Sequence, residues 1–290
     1  MPWRRGIVLK SERELKIMRR AGRINALALL AALRKVRPGV TTAEIEATAA
    51  AVLEEHGATS AFKGYPGPYP YPAVTNVSIN EELVHGIPSP DRRLQEGDLV
   101  SVDCGTVIDG FVGDSAFTIG VGQVSEEAER LMDATLASLF AGIEQMRPDR
   151  RTGDVSAAIQ ETVENAGFNV VREYTGHGVG RSMHEDPQVP NFGRPGSGTP
   201  LRSGLTIALE PMVLSGSPQT QVLQDQWTVV SRDGKLTAHF EHTVAVTEDG
   251  PWVLTALDPE DLDDLDQLRY NQYFAGRQSS AVGSVRGESS

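Results

Sequence analysis

Two stretches of this chain repeat each other at one spacing, and that repeat limits the folds open to it. Arg37-Pro38 returns as Arg147-Pro148 and Gly57 returns as Gly167, both 110 residues later. At the same offset Ile45, Ala49 and Leu53 map onto Val155, Ile159 and Val163, and Leu30, Leu33 and Val36 onto Phe140, Ile143 and Met146. These apolar positions recur at helical spacing. Ser11 with Glu14, and Thr41 with Glu44, are capping boxes, in which the hydroxyl and the carboxylate satisfy each other's free backbone N–H groups. They open one helix running to about Val36 and a second ending at Gly57, a residue that adopts the left-handed closing conformation readily. Unrelated amphipathic helices also share periodicity, but terminators shared at one offset favour an internal duplication. Two copies, each of two helices and then strand-like segments, predict a pseudo-two-fold body with a site between its halves.

The strand-like segments carry acids where an unpaired charge is unfavourable. Asp98–Ile108 and Phe111–Ile119, joined by Asp109-Gly110, read as a hairpin with a two-residue turn. Opposed positions then sum to 219, so Asp103 faces Ala116 and Asp114 lies two residues from Ala116. Side chains two apart share a face, which makes the two aspartates diagonal neighbours. Glu210 ends the apolar run Leu205–Val213 at Pro211, and Glu241 sits within Leu236–Val246. His177 and His184 lie among glycines in TGHGVGRSMHEDP, seven residues apart, which is not the i, i+4 pair of a helical zinc motif. Each residue alone has an ordinary explanation: a hydrogen-bonded structural acid, an exposed strand glutamate, a loop histidine. Four carboxylates and one imidazole gathered in a core need cations between them. Carboxylate-rich ligation with one His suits Mn, Fe, Co or Zn, so Asp103, Asp114, His177, Glu210 and Glu241 read as a two-metal hydrolase centre. Asp91, Asp98, Glu81, Glu82 and His242 are left as surface or supporting groups. His56 and His239 are given the ordinary reading, as is His85 in NEELVHGIP when taken alone.

Acids outnumber bases 39 to 27, a formal charge of −12, which argues against nucleic acid as a partner. Six of the acids fall in Asp258–Asp266, a stretch expected to be a solvated helix or turn. No run of 18 apolar residues exists and the N-terminus lacks the apolar core of a secretory signal, so no membrane span is expected. Cys104 is the single cysteine, which excludes an internal disulfide and fits the reducing cytoplasm. Tyr65–Pro72 (YPGPYPYP) reads as a rigid surface loop, and the polar, Gly/Ser-rich chain from about Asn271 onward as a disordered tail.

NEELVHGIP, VDCGTVIDGFVGD, TGHGVGRSMHEDPQV, LTIALEPMV and HFEHTVAVT, in this order, closely resemble the motifs of type I methionine aminopeptidases of peptidase family M24, over roughly Ser11 to Thr255. The resemblance implies the α+β pita-bread (creatinase/aminopeptidase) fold, a curved, mostly antiparallel sheet with helices outside. The domain would span 11–257, with halves of about 11–120 and 121–257, between a short N-terminal extension (1–10) and the acidic segment and tail (258–290). It also implies two divalent ions, bridged by Asp114 and Glu241, with Asp103 on one ion and His177 and Glu210 on the other. Glu210 would carry the proton, while His85 and His184 would contact the substrate. Tyr71, Trp227 and Met183 would line the methionine pocket. Met183 stands where Phe is common, Asn76 where a Cys often lines the pocket, and the YPGPYPYP loop is longer than usual, so pocket shape departs from the pattern. The implied activity is removal of the initiator methionine from nascent chains with a small second residue, by a cytoplasmic monomer, near the ribosome. A proline-specific aminopeptidase or prolidase of the same fold is the first alternative, though those relatives carry a large preceding domain. A non-catalytic binding protein of this fold is the second.

Overall fold

The computed structural model describes residues 4–261 and 271–276. Four long helices, α1 (Glu12–Lys35), α2 (Thr42–Glu55), α3 (Glu126–Glu144) and α4 (Thr152–Asn165), carry the repeat. Both expected capping boxes form, Ser11 with Glu14 and Thr41 with Glu44. Gly57 and Gly167 close the second helix of each copy at φ of 62° and 86°.

The first copy supplies β1 (Arg4–Ile7), β2 (Thr59–Ser60), β3 (Thr75–Ile79), β4 (Glu82–Val84), β5 (Leu99–Ile108) and β6 (Phe111–Gly120). The second supplies β7 (Asn169–Val170), β8 (Thr175–Gly178), β9 (Glu185–Pro190), β10 (Thr206–Leu209) and β11 (Met212–Leu214). It continues with β12 (Thr220–Val222), β13 (Val229–Ser231), β14 (Thr237–His239), β15 (His242–Thr247) and β16 (Gly250–Val253). Helices α2 and α4 begin and end at the 110-residue offset, as do β2 and β7. The strands form sheets in the orders β1-β9-β8-β10-β15-β16, β14-β11-β7, β12-β13-β4 and β2-β5-β3, with β6 on β5. Among the described residues, β1 with β9 is the one parallel pairing between these strands. No helix among them is long and apolar enough to cross a membrane.

Helix α1 lies against β6 with backbone touching backbone. A Cβ added at Gly113 would meet the Gly22 nitrogen at 2.6 Å, so only glycine permits this approach. Asp114, the next residue, points to the opposite face of the strand, into the cavity, and is 1 % exposed.

Two expectations are corrected. Leu205–Val213 and Leu236–Val246 are not continuous strands: each breaks in two, at Glu210-Pro211 and at Phe240-Glu241. Proline has no N–H for a ladder, and two glutamates facing each other repel. The second correction concerns the tail. Residues Asn271–Phe274 form a short helix, α5, and Tyr273 and Phe274 are fully buried. Two adjacent aromatics bury enough area to dock a segment whose polar composition suggests disorder. Tyr273 stacks on His242 with centroids 4.0 Å apart, and its hydroxyl donates to the main-chain oxygen of Glu241 at 2.7 Å. The rest of that expectation, residues 277–290, lies outside the described residues, as do 262–270. Within the acidic stretch, Asp258 and Asp261 pair with Arg19 and Arg23 of α1 at 2.6 and 2.7 Å. At the other end, residues 4–7, read as part of an extension, add an edge strand beside Glu185. Lys10 then makes a buried 2.7 Å ion pair with Glu185.

Candidate metal centre and substrate pocket

The hairpin register follows the counting argument: Asp103 pairs with Ala116 and Gly105 with Asp114, around a turn whose Asp109 and Gly110 both have positive φ. On its far side Ala116 exchanges backbone hydrogen bonds with Glu241, at 2.9 and 3.4 Å. Asp114 is joined to Thr243 through the threonine hydroxyl, which donates to its carbonyl at 2.9 Å and accepts from its N–H at 3.0 Å. Thr243 pairs with Ala208, and Ala208 with His177. Leu209 pairs with His242, and beyond the break Met212 pairs with His239 in unchanged register, so Glu210 and Glu241 occupy opposed positions. Neighbouring rows therefore run across the strands, Asp114-Thr243-Ala208-His177 beside Asp103-Ala116-Glu241-Glu210. Residues two apart along a strand share a face, which explains how five distant residues reach one cavity.

The cluster is strained electrostatically as it stands. Burial pushes Asp103 up to about 7, a hydrogen bond from Asn76 opposing the rise. Burial first, and then neighbouring carboxylates, hold Asp114, Glu210 and Glu241 well above the ordinary range. Asp103 Oδ1, Asp114 Oδ1 and Glu241 Oε1 are buried without a hydrogen-bond partner. Among the described residues, the roughly 350 Å³ cavity they line has no Lys or Arg on its wall. His177 Nδ1 faces the Gly178 carbonyl at 2.9 Å. A carbonyl only accepts, so the proton sits on Nδ1 and the Nε2 lone pair points inward. Burial lowers this ring to about 4, which keeps it neutral. Its Nε2 lies 3.4 Å from Glu210 Oε1 and 3.9 Å from Asp114 Oδ2. Atoms of Asp114, His177 and Glu241 lie within 4.8 Å of one another. A lone pair facing carboxylate oxygens, with further acceptors orphaned beside it, is a donor set that fits divalent cations.

The other end of the cavity is walled by Phe62, Tyr65, Tyr71, Met183 and Trp227. Tyr71 and Trp227 meet edge to face at 5.2 Å, and the Tyr71 hydroxyl donates to the Gly86 carbonyl at 2.9 Å. The proline-rich loop thus turns half-buried Tyr65 and buried Tyr71 inward while Pro66–Pro70 stay exposed. His85, at φ 62°, and His184 both face the cavity. Tyr65 Oη and His184 Nδ1 are 2.6 Å apart, and the His184 ring lies 4.3 Å from that of His177. Burial keeps His85 and His184 neutral, at about 4 and about 2. Asn76, expected to line the pocket, does line the cavity, and it donates to Asp103 Oδ2 at 2.7 Å.

Sequence reasoning passed over His239. It is buried, lines the cavity, and places Nε2 3.8 Å from both Glu210 Oε2 and Glu241 Oε2. Its signal was present: His239 stands two residues before Glu241, on the same face of the strand. His242 instead points into the core, between Thr255 and Tyr273, and Glu82 pairs with Arg92. His56 is an exposed C-cap residue of α2.

Residues 16–248 match Metallopeptidase family M24. Methionine aminopeptidase of Clostridium perfringens is 49% identical over 251 residues, 87% of this chain and 99% of its own length. The crystal structure of the Thermotoga maritima methionine aminopeptidase is similar at a TM-score of 0.84 and 46% identity, covering 86% of this chain and 99% of that one. A prolidase from Pyrococcus horikoshii matches more weakly, at a TM-score of 0.70 and 25% identity, with 87% of this chain but 65% of the prolidase covered. The architecture is the pita-bread fold shared by these structures, and the chain belongs to metallopeptidase family M24, among its methionine aminopeptidases.

Proposed function

We propose that this chain removes the amino-terminal methionine from newly made polypeptides with a small second residue, using two divalent cations held by Asp103, Asp114, His177, Glu210 and Glu241. One observation carries the reading: an aromatic pocket containing Tyr71, Met183 and Trp227 opens directly onto that carboxylate cluster. The unbranched thioether of methionine suits such a wall, and burying it contributes about 1.5–3 kcal/mol. When bound, the cations supply Lewis acidity to the scissile carbonyl and make a water acidic near neutral pH.

The protein's own groups do the rest. Glu210 takes a proton from the attacking water and returns it to the departing amine. The Tyr65 phenol, kept protonated by burial, donates to His184 Nδ1 and leaves the Nε2 proton of that neutral ring for the substrate carbonyl oxygen. His85 serves the scissile nitrogen. Asn76 steadies Asp103 from behind. Mn, Fe, Co and Zn all accept this donor set. We place the reaction in the cytoplasm, where lone buried Cys104 stays a thiol, on chains at or just off the ribosome, with the protein acting as a monomer and without binding nucleic acid.

Hydrolysis of Met-Ala-Ser and Gly-Pro is to be compared under reducing conditions with added cation. Release of methionine from the tripeptide is expected. Preferential cleavage of Gly-Pro would make the chain a proline-specific enzyme, and turnover of neither with no bound cation would make it a binding protein.

A further inference from the structure

We propose that His239 is a positioning residue of the cation centre: a neutral imidazole whose Nε2–H is shared between the carboxylates of Glu210 and Glu241 and sets their orientation. The inference rests on the metal reading above and adds a residue to it. His239 is 2 % exposed, and its Nε2 has no hydrogen-bond partner. A buried nitrogen in that state is unfavourable unless something engages it. Its neighbours are Glu210 Oε2 and Glu241 Oε2, both at 3.8 Å. A shift of about 0.9 Å in either carboxylate closes that gap to an ordinary hydrogen bond.

The residue is fixed in place by its backbone. Its N–H donates to the Thr118 hydroxyl at 2.8 Å, and that hydroxyl donates to the His239 carbonyl at 2.8 Å. Thr118 in turn pairs with Ser101, so a third row, Ser101-Thr118-His239-Met212, flanks the row holding Asp103, Glu241 and Glu210. The arrangement has a counterpart across the cavity. Asn76, paired with Asp103 across β3 and β5, donates to Asp103 Oδ2 at 2.7 Å. One donor thus stands behind Asp103, and His239 stands where a donor is needed behind the two glutamates. Groups that orient metal-bound carboxylates change cation affinity by about 10–100-fold when removed.

The test is a titration of Co²⁺ and Mn²⁺ into the metal-stripped, full-length protein, under anaerobic reducing conditions, read by calorimetry and by the Co²⁺ visible spectrum. The variants are His239→Gln, which keeps an N–H donor, and His239→Leu, which removes it. His239→Ala replaces the leucine variant if that protein does not fold. The glutamine variant should bind within about threefold of wild type with unchanged Co²⁺ band positions. The leucine variant should bind about 10–100-fold more weakly at the same stoichiometry. Wild-type affinity in the leucine variant overturns the role. Equal losses in both variants with shifted Co²⁺ bands also overturn it, by making the imidazole itself a ligand. A wild-type protein that binds neither cation defeats the metal reading and this inference with it. Intact cation binding with only the His239 effects missing defeats the inference alone.

Discussion

Replacing Asp103 with Asn should reduce the pH dependence of stability in the cation-free protein, and the size of the change follows from burial. The folded protein keeps Asp103 protonated up to about pH 7, against an ordinary value of 3.8. Between those values the folded state holds more protons than the unfolded chain, so this group's stability is fully present below 3.8 and is lost as pH rises through 7. Over the whole window the loss is about 4 kcal/mol, of which about 2 kcal/mol falls between pH 5 and 7. Buried histidines act in the opposite sense. His85 and His177 stay neutral down to about 4, so they add stability as pH rises from there to 6.5. Those contributions are common to wild type and Asp103→Asn, whereas Asp114, Glu210 and Glu241 are each raised by the Asp103 charge, so losing it relaxes them too and widens the difference in the same direction. The asparagine keeps an oxygen to accept from Asn76, so the fold of β3 and β5 is undisturbed. Urea melts of both proteins in chelator at pH 5, 6 and 7 provide the assay. Wild type should lose about 2 kcal/mol or more relative to the variant across that range. Adding Mn²⁺ at a hundred times its dissociation constant should restore about 2.7 kcal/mol to wild type and less to the variant. Parallel curves in chelator would refute the account of a crowded, cation-hungry carboxylate cluster.

His184→Ala should bind cation as wild type does and lose about 10²–10⁴ in kcat; metal analysis showing an empty protein would contradict the role given to this ring. Trp227→Ala should raise KM for Met-Ala-Ser about tenfold or more with kcat little changed, and a loss confined to kcat would move Trp227 out of the pocket wall. Tyr273→Ala should lower stability by about 3–5 kcal/mol in denaturant melts, and Tyr273→Phe by about 0.5–1.5 kcal/mol; wild-type melts for both would mean the aromatic segment is not docked.

Local rules made much of this molecule legible. Capping boxes fixed where α1 and α2 begin, and the repeated terminators gave the position of α4. A two-residue turn fixed the hairpin register, which put Asp103 and Asp114 on one face. The misses came from contacts distant in sequence. Apolar alternation continues through Glu210 and Glu241, and nothing local says that the two strands face each other and part there. His239 obeys the same two-residue period as the ligands, but period alone does not show which face meets the cavity. Asn76 is a polar residue whose partner, Asp103, appears only once β3 lies beside β5. Tyr273 and Phe274 sit in a polar stretch, and their burial depends on a slot made by Phe117, Phe240 and His242.

That slot makes the order of synthesis matter. Tyr273 follows Glu241 by 32 residues, so every candidate ligand leaves the ribosome before the ring that backs it does. A chain halted by a premature stop codon between them would carry a full set of acids and histidines with an open rear wall. A chain ended before residue 274 would also leave the Leu257 N–H without the Phe274 carbonyl to which it donates at 2.7 Å.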